Sequence, residues 1–172
     1  METKYSQGNC DNLCGVYASI NAALLSTEGV TKFSRKQVRN WFQLIIADLA
    51  KRRKLLEVHK VGSSVELVEG YLDTIREQLA NNIELTYYKP FTFKTRTTTA
   101  LKKLSAISQQ ANKAVIIGIE GFYDHWSLVS KITSDRVFLN DSDGLKYLNI
   151  KSIPKRYDLT VEDTIVVSAK EV

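Results

Sequence analysis

The feature that most constrains this chain is a change of hydrophobic period near its middle. Up to about residue 107 the apolar residues recur every three or four positions, as on amphipathic helices, and from Val115 onward they run continuously or alternate, as in strands. Val16, Ile20, Ala23 and Leu24 predict a helix from Cys14 to about Leu25, with Asp11 or Asn12 as its N-cap. Ser34 and Gln37 form a capping box ahead of Val38, Trp41, Phe42, Ile45, Ile46 and Leu49. Ser63 and Glu66 form a second one ahead of Val68, Tyr71, Leu72, Ile75 and Leu79. Ile83 to Tyr88, closed by Lys89-Pro90, reads as a short strand, and Leu101, Leu104 and Ile107 mark one more helix. The run Val115 to Ile119 suits a strand buried on both faces. Strands at His125 to Ile132, Val137 to Asp141 and Thr164 to Ser168 follow, with Leu145 to Ile150 as a further short one. Helices followed by strands predict an α+β fold, the N-terminal helices packed on a C-terminal antiparallel sheet. With no repeat, low-complexity stretch or linker, residues 1–172 read as one domain.

A chain of 172 residues with 44% hydrophobic content can bury a real core. Its opening Met-Glu-Thr-Lys-Tyr-Ser is polar, and no apolar run approaches the roughly 18 residues of a membrane span, so the expected location is the cytoplasm with no membrane partner. Two cysteines, Cys10 and Cys14, cannot staple a secreted scaffold and are expected to be reduced. The net charge of +5 draws on Lys51, Arg52, Arg53 and Lys54, which fall where a long helix ends and complement its dipole. No nucleic-acid-binding motif accompanies them, so no specific nucleic-acid partner is expected. Nothing in the sequence speaks to oligomeric state.

The residues able to carry chemistry lie at both ends of the chain. A thiol attacks as its thiolate, and a helix N-terminus or a neighbouring histidine favours that form. Cys14 meets the first condition. Of the two histidines, His59 lies between predicted helices, whereas His125 opens a strand in Asp124-His125-Trp126-Ser127, making it the better base. A third group should accept the far N–H of the imidazole, and Asn140-Asp141-Ser142-Asp143 offers several at the end of the next strand. A zinc site is not expected, because Cys10 and Cys14 lack CxxC spacing and the histidines are far apart in sequence.

Gln7-Gly8-Asn9-Cys10-Asp11-Asn12-Leu13-Cys14-Gly15 resembles the Gln-Gly-x-Cys-x-x-Cys segment of papain-like peptidases, with one extra residue between the cysteines. The Cys-Gly pair and the strand-rich second half most resemble the bacteriocin-processing peptidases that cleave after double-glycine leaders. The resemblance spans Gln7 to Asp141 in the order Gln, Cys, His, Asp. It implies a papain-like fold, a peptide or protein substrate and no cofactor. It also implies a catalytic set of Cys14, His125 and Asp141, with Gln7 and the Cys14 backbone N–H holding the oxyanion. Gly8-Asn9-Cys10-Asp11 also resembles the Gly-x-Cys segment of the ovarian-tumour deubiquitinases. That family expects an aspartate where Gln7 stands and a bulky apolar pair after its cysteine, and neither is present. The same residues would also serve an acyltransferase, and a catalytically silent papain-like module that binds a protein is the alternative from outside enzymology.

Strand register gives the sharpest expectation. A turn centred on Thr133 would set His125 directly opposite Asp141, Ser127 opposite Leu139 and Val129 opposite Val137. A two-residue turn at Ser134-Asp135 would instead pair Leu128 with Asp141 and send that carboxylate to the other face.

Overall fold

In the computed structural model, residue 6 and residues 12–121, 124–153 and 155–172 are described. Four helices come first: α1 (Cys14–Thr27), α2 (Arg35–Lys51), α3 (Leu55–Val61) and α4 (Val65–Leu79). Strand β1 (Ile83–Tyr88) and helix α5 (Thr97–Ile107) lead into β2 (Lys113–Gly121), β3 (His125–Ile132), β4 (Arg136–Asn140) and β5 (Tyr147–Asn149). A 3-10 turn (Ile150–Ser152) precedes the long β6 (Tyr157–Glu171). The strands form one six-stranded sheet in the order β1-β6-β2-β3-β4-β5, every neighbouring pair antiparallel. The expected α+β architecture, helices on an antiparallel sheet, is the observed one.

Strand β2 shows why the sequence ran apolar without alternation. Ala114 and Ile116 enter a core shared with α1, α2 and α4, while Val115, Ile117 and Ile119 enter a second core with α5, so both faces are covered. Helix α1 lies inside the first core and is buried almost all round, including Ser19 and Thr27, whose hydroxyls bond back to Gly15 O at 2.8 Å and Ala23 O at 2.7 Å. A polar group so enclosed is tolerated because its hydrogen bond is made within its own helix.

Three local expectations need correction. The N-cap of α1 is Leu13, without a side-chain bond; Asn12 instead donates to His59 O at 2.8 Å, tying the start of α1 to the end of α3. The N-cap of α4 is Ser64 rather than Ser63, and Ser63 turns inward, its hydroxyl 3.0 Å from that of Tyr71. Helix α3 was not foreseen. It is short, with only Val58 fully buried, so its pattern has no stripe long enough to register. The capping box at Ser34 and Gln37 forms as expected. The cations after α2 are exposed, and Arg52 and Lys54 pair with Asp48 and Glu57 at 2.8 and 2.6 Å.

The expected register of β3 and β4 is also wrong in its details. Thr133 N donates to Arg136 O at 2.9 Å, closing a two-residue turn at Ser134-Asp135, with Ile132 opposite Val137 and Lys131 opposite Phe138. A β-bulge at Ser130 then shifts the ladder by one, so that Val129 faces Leu139 and Leu128 faces Asn140. Carried one residue further, this register sets Asp141 beside Ser127, two residues along the same face from His125. The bulge undoes the change of face that the turn alone would have caused.

Candidate active site

Cys14 is the first residue of α1 and 4% exposed. Its helical position leaves its backbone N–H among the first-turn donors that have no partner inside the helix, and it puts the side chain at the positive end of the helix dipole. The next residue must be small. A Cβ on Gly15 would stand 2.8 Å from Ser63 Cβ and 3.1 Å from Val68 Cγ2, so the Cys-Gly pair lets α1 seat directly on the corner that opens α4.

His125 opens β3, with its side chain 11% exposed, and its Nε2 lies 2.6 Å from Asp141 Oδ2. Asp141 is fully buried just past β4. Its second oxygen, Oδ1, accepts the backbone N–H groups of Asp143 at 2.9 Å and Leu145 at 3.0 Å. This is the local turn bonding expected of an aspartate in Asn-Asp-Ser-Asp-Gly, and here it leaves the other oxygen for the imidazole. Ser127 Oγ is buried and makes no hydrogen bond of strict geometry among the described residues, yet it is close enough to Asp141 to help hold the carboxylate ionised.

The charges follow from these contacts. Burial by itself pulls the His125 pKa down, but bonding to Asp141 and to Cys14, with the negative charge on both, outweighs it and pushes the value up to about 10. For Asp141, burial works to raise the pKa, and the His125 contact, the nearby Ser127 hydroxyl and the Leu145 backbone N–H bring it below the usual carboxylate value. Cys14 thus bears on the charge of the imidazole. A buried carboxylate, an imidazole and a thiol at a helix start are brought together in that order.

The thiol and the imidazole line a cleft of about 450 Å³, with Val61, Ser63, Gly118 and Thr160 among its walls. A Cβ on Gly118 would collide with Thr160 Oγ1, so glycine keeps this wall thin. His59, the other histidine, is exposed on α3, where its carbonyl accepts from Asn12. Asp143 is exposed, and Asn140 pairs with Leu128. Gln7 and Cys10 lie outside the described residues.

No family model matches this chain, and no curated protein matches it in sequence. Solved structures do match in shape. One is the crystal structure of a double glycine motif protease from an AMS/PCAT transporter in complex with the leader peptide, with TM-score 0.51 and 14% identity over 98% of this chain and 91% of that one. Another is the peptidase domain of Streptococcus ComA, a bi-functional ABC transporter involved in a quorum sensing pathway, with TM-score 0.50 and 12% identity over 96% and 95%. The chain has the fold of these peptidase domains. The match runs nearly end to end in both directions, in agreement with the papain-like resemblance of the Cys-Gly segment. Among the described residues no helix is long and apolar enough to cross a membrane.

The sequence pointed to His125 and Asp141 but gave no sign of Ser127, Ser63 or Thr160. Ser127 alternates with His125 on β3, a period-2 relation that could have marked it. Ser63 and Thr160 become neighbours of the site only through tertiary packing.

Proposed function

We propose that this chain is a cysteine peptidase acting through Cys14, His125 and Asp141. The observation that carries the proposal is the 2.6 Å contact between the His125 ring and a fully buried carboxylate, beside a thiol at a helix N-terminus in an open cleft. In this mechanism His125 takes the Cys14 proton and the sulfur attacks the substrate carbonyl carbon. The oxyanion forms at the start of α1, where the Cys14 N–H donates to it and Gln7, by family resemblance, supplies the second donor. His125 returns its proton to the leaving amine as the C–N bond breaks, and an acyl thioester remains on Cys14. Water, deprotonated by His125, then releases the acid and frees the thiol. Asp141 holds the imidazole by Nε2, which directs Nδ1 toward the sulfur, and stabilises the imidazolium.

The fold shared with a protease solved in complex with its leader peptide makes a double-glycine leader peptide the first substrate to try. The test is incubation of the full chain with such a peptide, with mass spectrometry of the products and of trapped enzyme. Cleavage at one bond, with a thioester adduct mapped to Cys14 and neither seen in Cys14→Ala, is the expected result. Unchanged cleavage in Cys14→Ala sinks the proposal.

A further inference from the structure

We propose that the corner between α3 and α4, residues 59–63, is the joint that sets the separation of Cys14 and His125, and that Trp126 is the positioning residue that fastens the histidine strand to it. This rests on the reading of Cys14 and His125 as the reacting pair. The two groups sit on elements far apart in sequence, α1 and β3, and a displacement of about 1 Å between reacting groups costs on the order of a hundredfold in rate. Something must hold the two elements in mutual register.

Both elements attach to the same short segment through residues flanking the reactive ones. On the thiol side, Asn12 donates to His59 O at 2.8 Å, and Gly15 packs so closely on Ser63 that an added Cβ would lie 2.8 Å from Ser63 Cβ and 2.9 Å from its Oγ. On the imidazole side, Trp126 Nε1 donates to Ser63 O at 2.7 Å, next in chain to His125. The corner is itself braced, since Ser63 Oγ and Tyr71 OH are 3.0 Å apart and Gly62 N donates to Val58 O at 2.8 Å. Its bend depends on Gly62, whose φ of 84° and ψ of −170° fall in a region essentially reserved for glycine. The Tyr71 hydroxyl also feels charge at Cys14. Burial raises its pKa, the Ser63 bond opposes that, and negative charge at Cys14 raises it further.

The test uses the full chain and two independent disturbances. Trp126→Phe keeps most of the ring and removes the N–H; Gly62→Ala disturbs the bend without touching α1 or β3. The readout is the second-order rate of Cys14 alkylation by iodoacetamide across pH 5 to 10, with His125→Ala as reference and circular dichroism to establish folding. The expected result is a His125-dependent rate in the unmodified protein that falls about tenfold in each variant, with the pH profile moving toward that of His125→Ala. Should Trp126→Phe fail to fold, Gly62→Ala decides by the same readout. Unmodified rate and profile in folded variants overturn the joint alone. Identical profiles for the unmodified protein and His125→Ala overturn the reacting pair and the joint with it.

Discussion

The two histidines occupy opposite environments, and the difference teaches what makes an imidazole useful. His59 sits on a seven-residue helix, exposed, with its backbone carbonyl accepting from Asn12. His125 sits at the end of a central strand, nearly enclosed, bonded to a carboxylate that has no exposed surface. The side chains are chemically identical. What differs is that one has water on most sides and the other has a fixed negative charge on one side and a thiol on another. Solvent would level any such bias, so a usable proton acceptor of this kind has to be built where water is excluded.

The largest expected effect tests that contrast directly. Cys14→Ala abolishes turnover and His125→Ala lowers it by about 10⁴-fold, with far-ultraviolet circular dichroism unchanged in both. His59→Ala, measured beside them, keeps full turnover and changes stability by no more than about 0.5 kcal/mol. Equal losses in the two folded histidine variants would erase the distinction.

Next in size is the carboxylate. Asp141→Ala lowers turnover by roughly 10² to 10⁴-fold, because the imidazole loses both its anchor and its counter-charge. Asn140→Ala and Asp143→Ala stay within about threefold of the unmodified rate, since neither touches the ring. A profile in which Asp143→Ala is the damaging variant would assign the third role to the wrong aspartate.

The pH dependence sharpens the comparison further. The His125 pKa is raised above its unfolded value, so the stability it contributes is fully present below about 6.5 and is lost as pH rises through about 10. Asp141 has the opposite sign. Its contribution is present above the ordinary aspartate value and disappears as pH falls through its lowered one. The stability gap between the unmodified protein and His125→Ala is therefore widest from mildly acidic to neutral pH and closes toward pH 10, as denaturant titration at a series of pH values would show. The smallest effect is that of Cys10→Ser, which retains most of the activity, since only Cys14 opens the helix beside His125.

Much of this was legible in the sequence, for identifiable reasons. Long periodic segments such as Arg35–Lys51 and Val65–Leu79 announce themselves because their apolar stripes repeat over several turns. The pairing of His125 with Asp141 was legible because a buried imidazole needs an acceptor and the next strand ends in one. The register that achieves it was not. A sequence read as a straight ladder has no place for the extra residue at Ser130, and a bulge changes which residues face each other without leaving a mark in composition. Helix α3 was hidden because seven residues are too few for an apolar stripe, and the part played by Ser63 because it depends on contacts with distant segments.

Strand β6, the last of the described strands, lies between β1 and β2, pairing with β2 from Tyr157 to Ser168 and with β1 from Val166 to Glu171. During synthesis the strand holding His125 and the loop holding Asp141 emerge before the strand that completes the middle of the sheet. Until then β1 has no neighbour, and two strand edges stand open where a continuous surface should be. A ribosome-bound chain thus holds Cys14 and His125 in an unfinished scaffold until β6 closes the gap between β1 and β2.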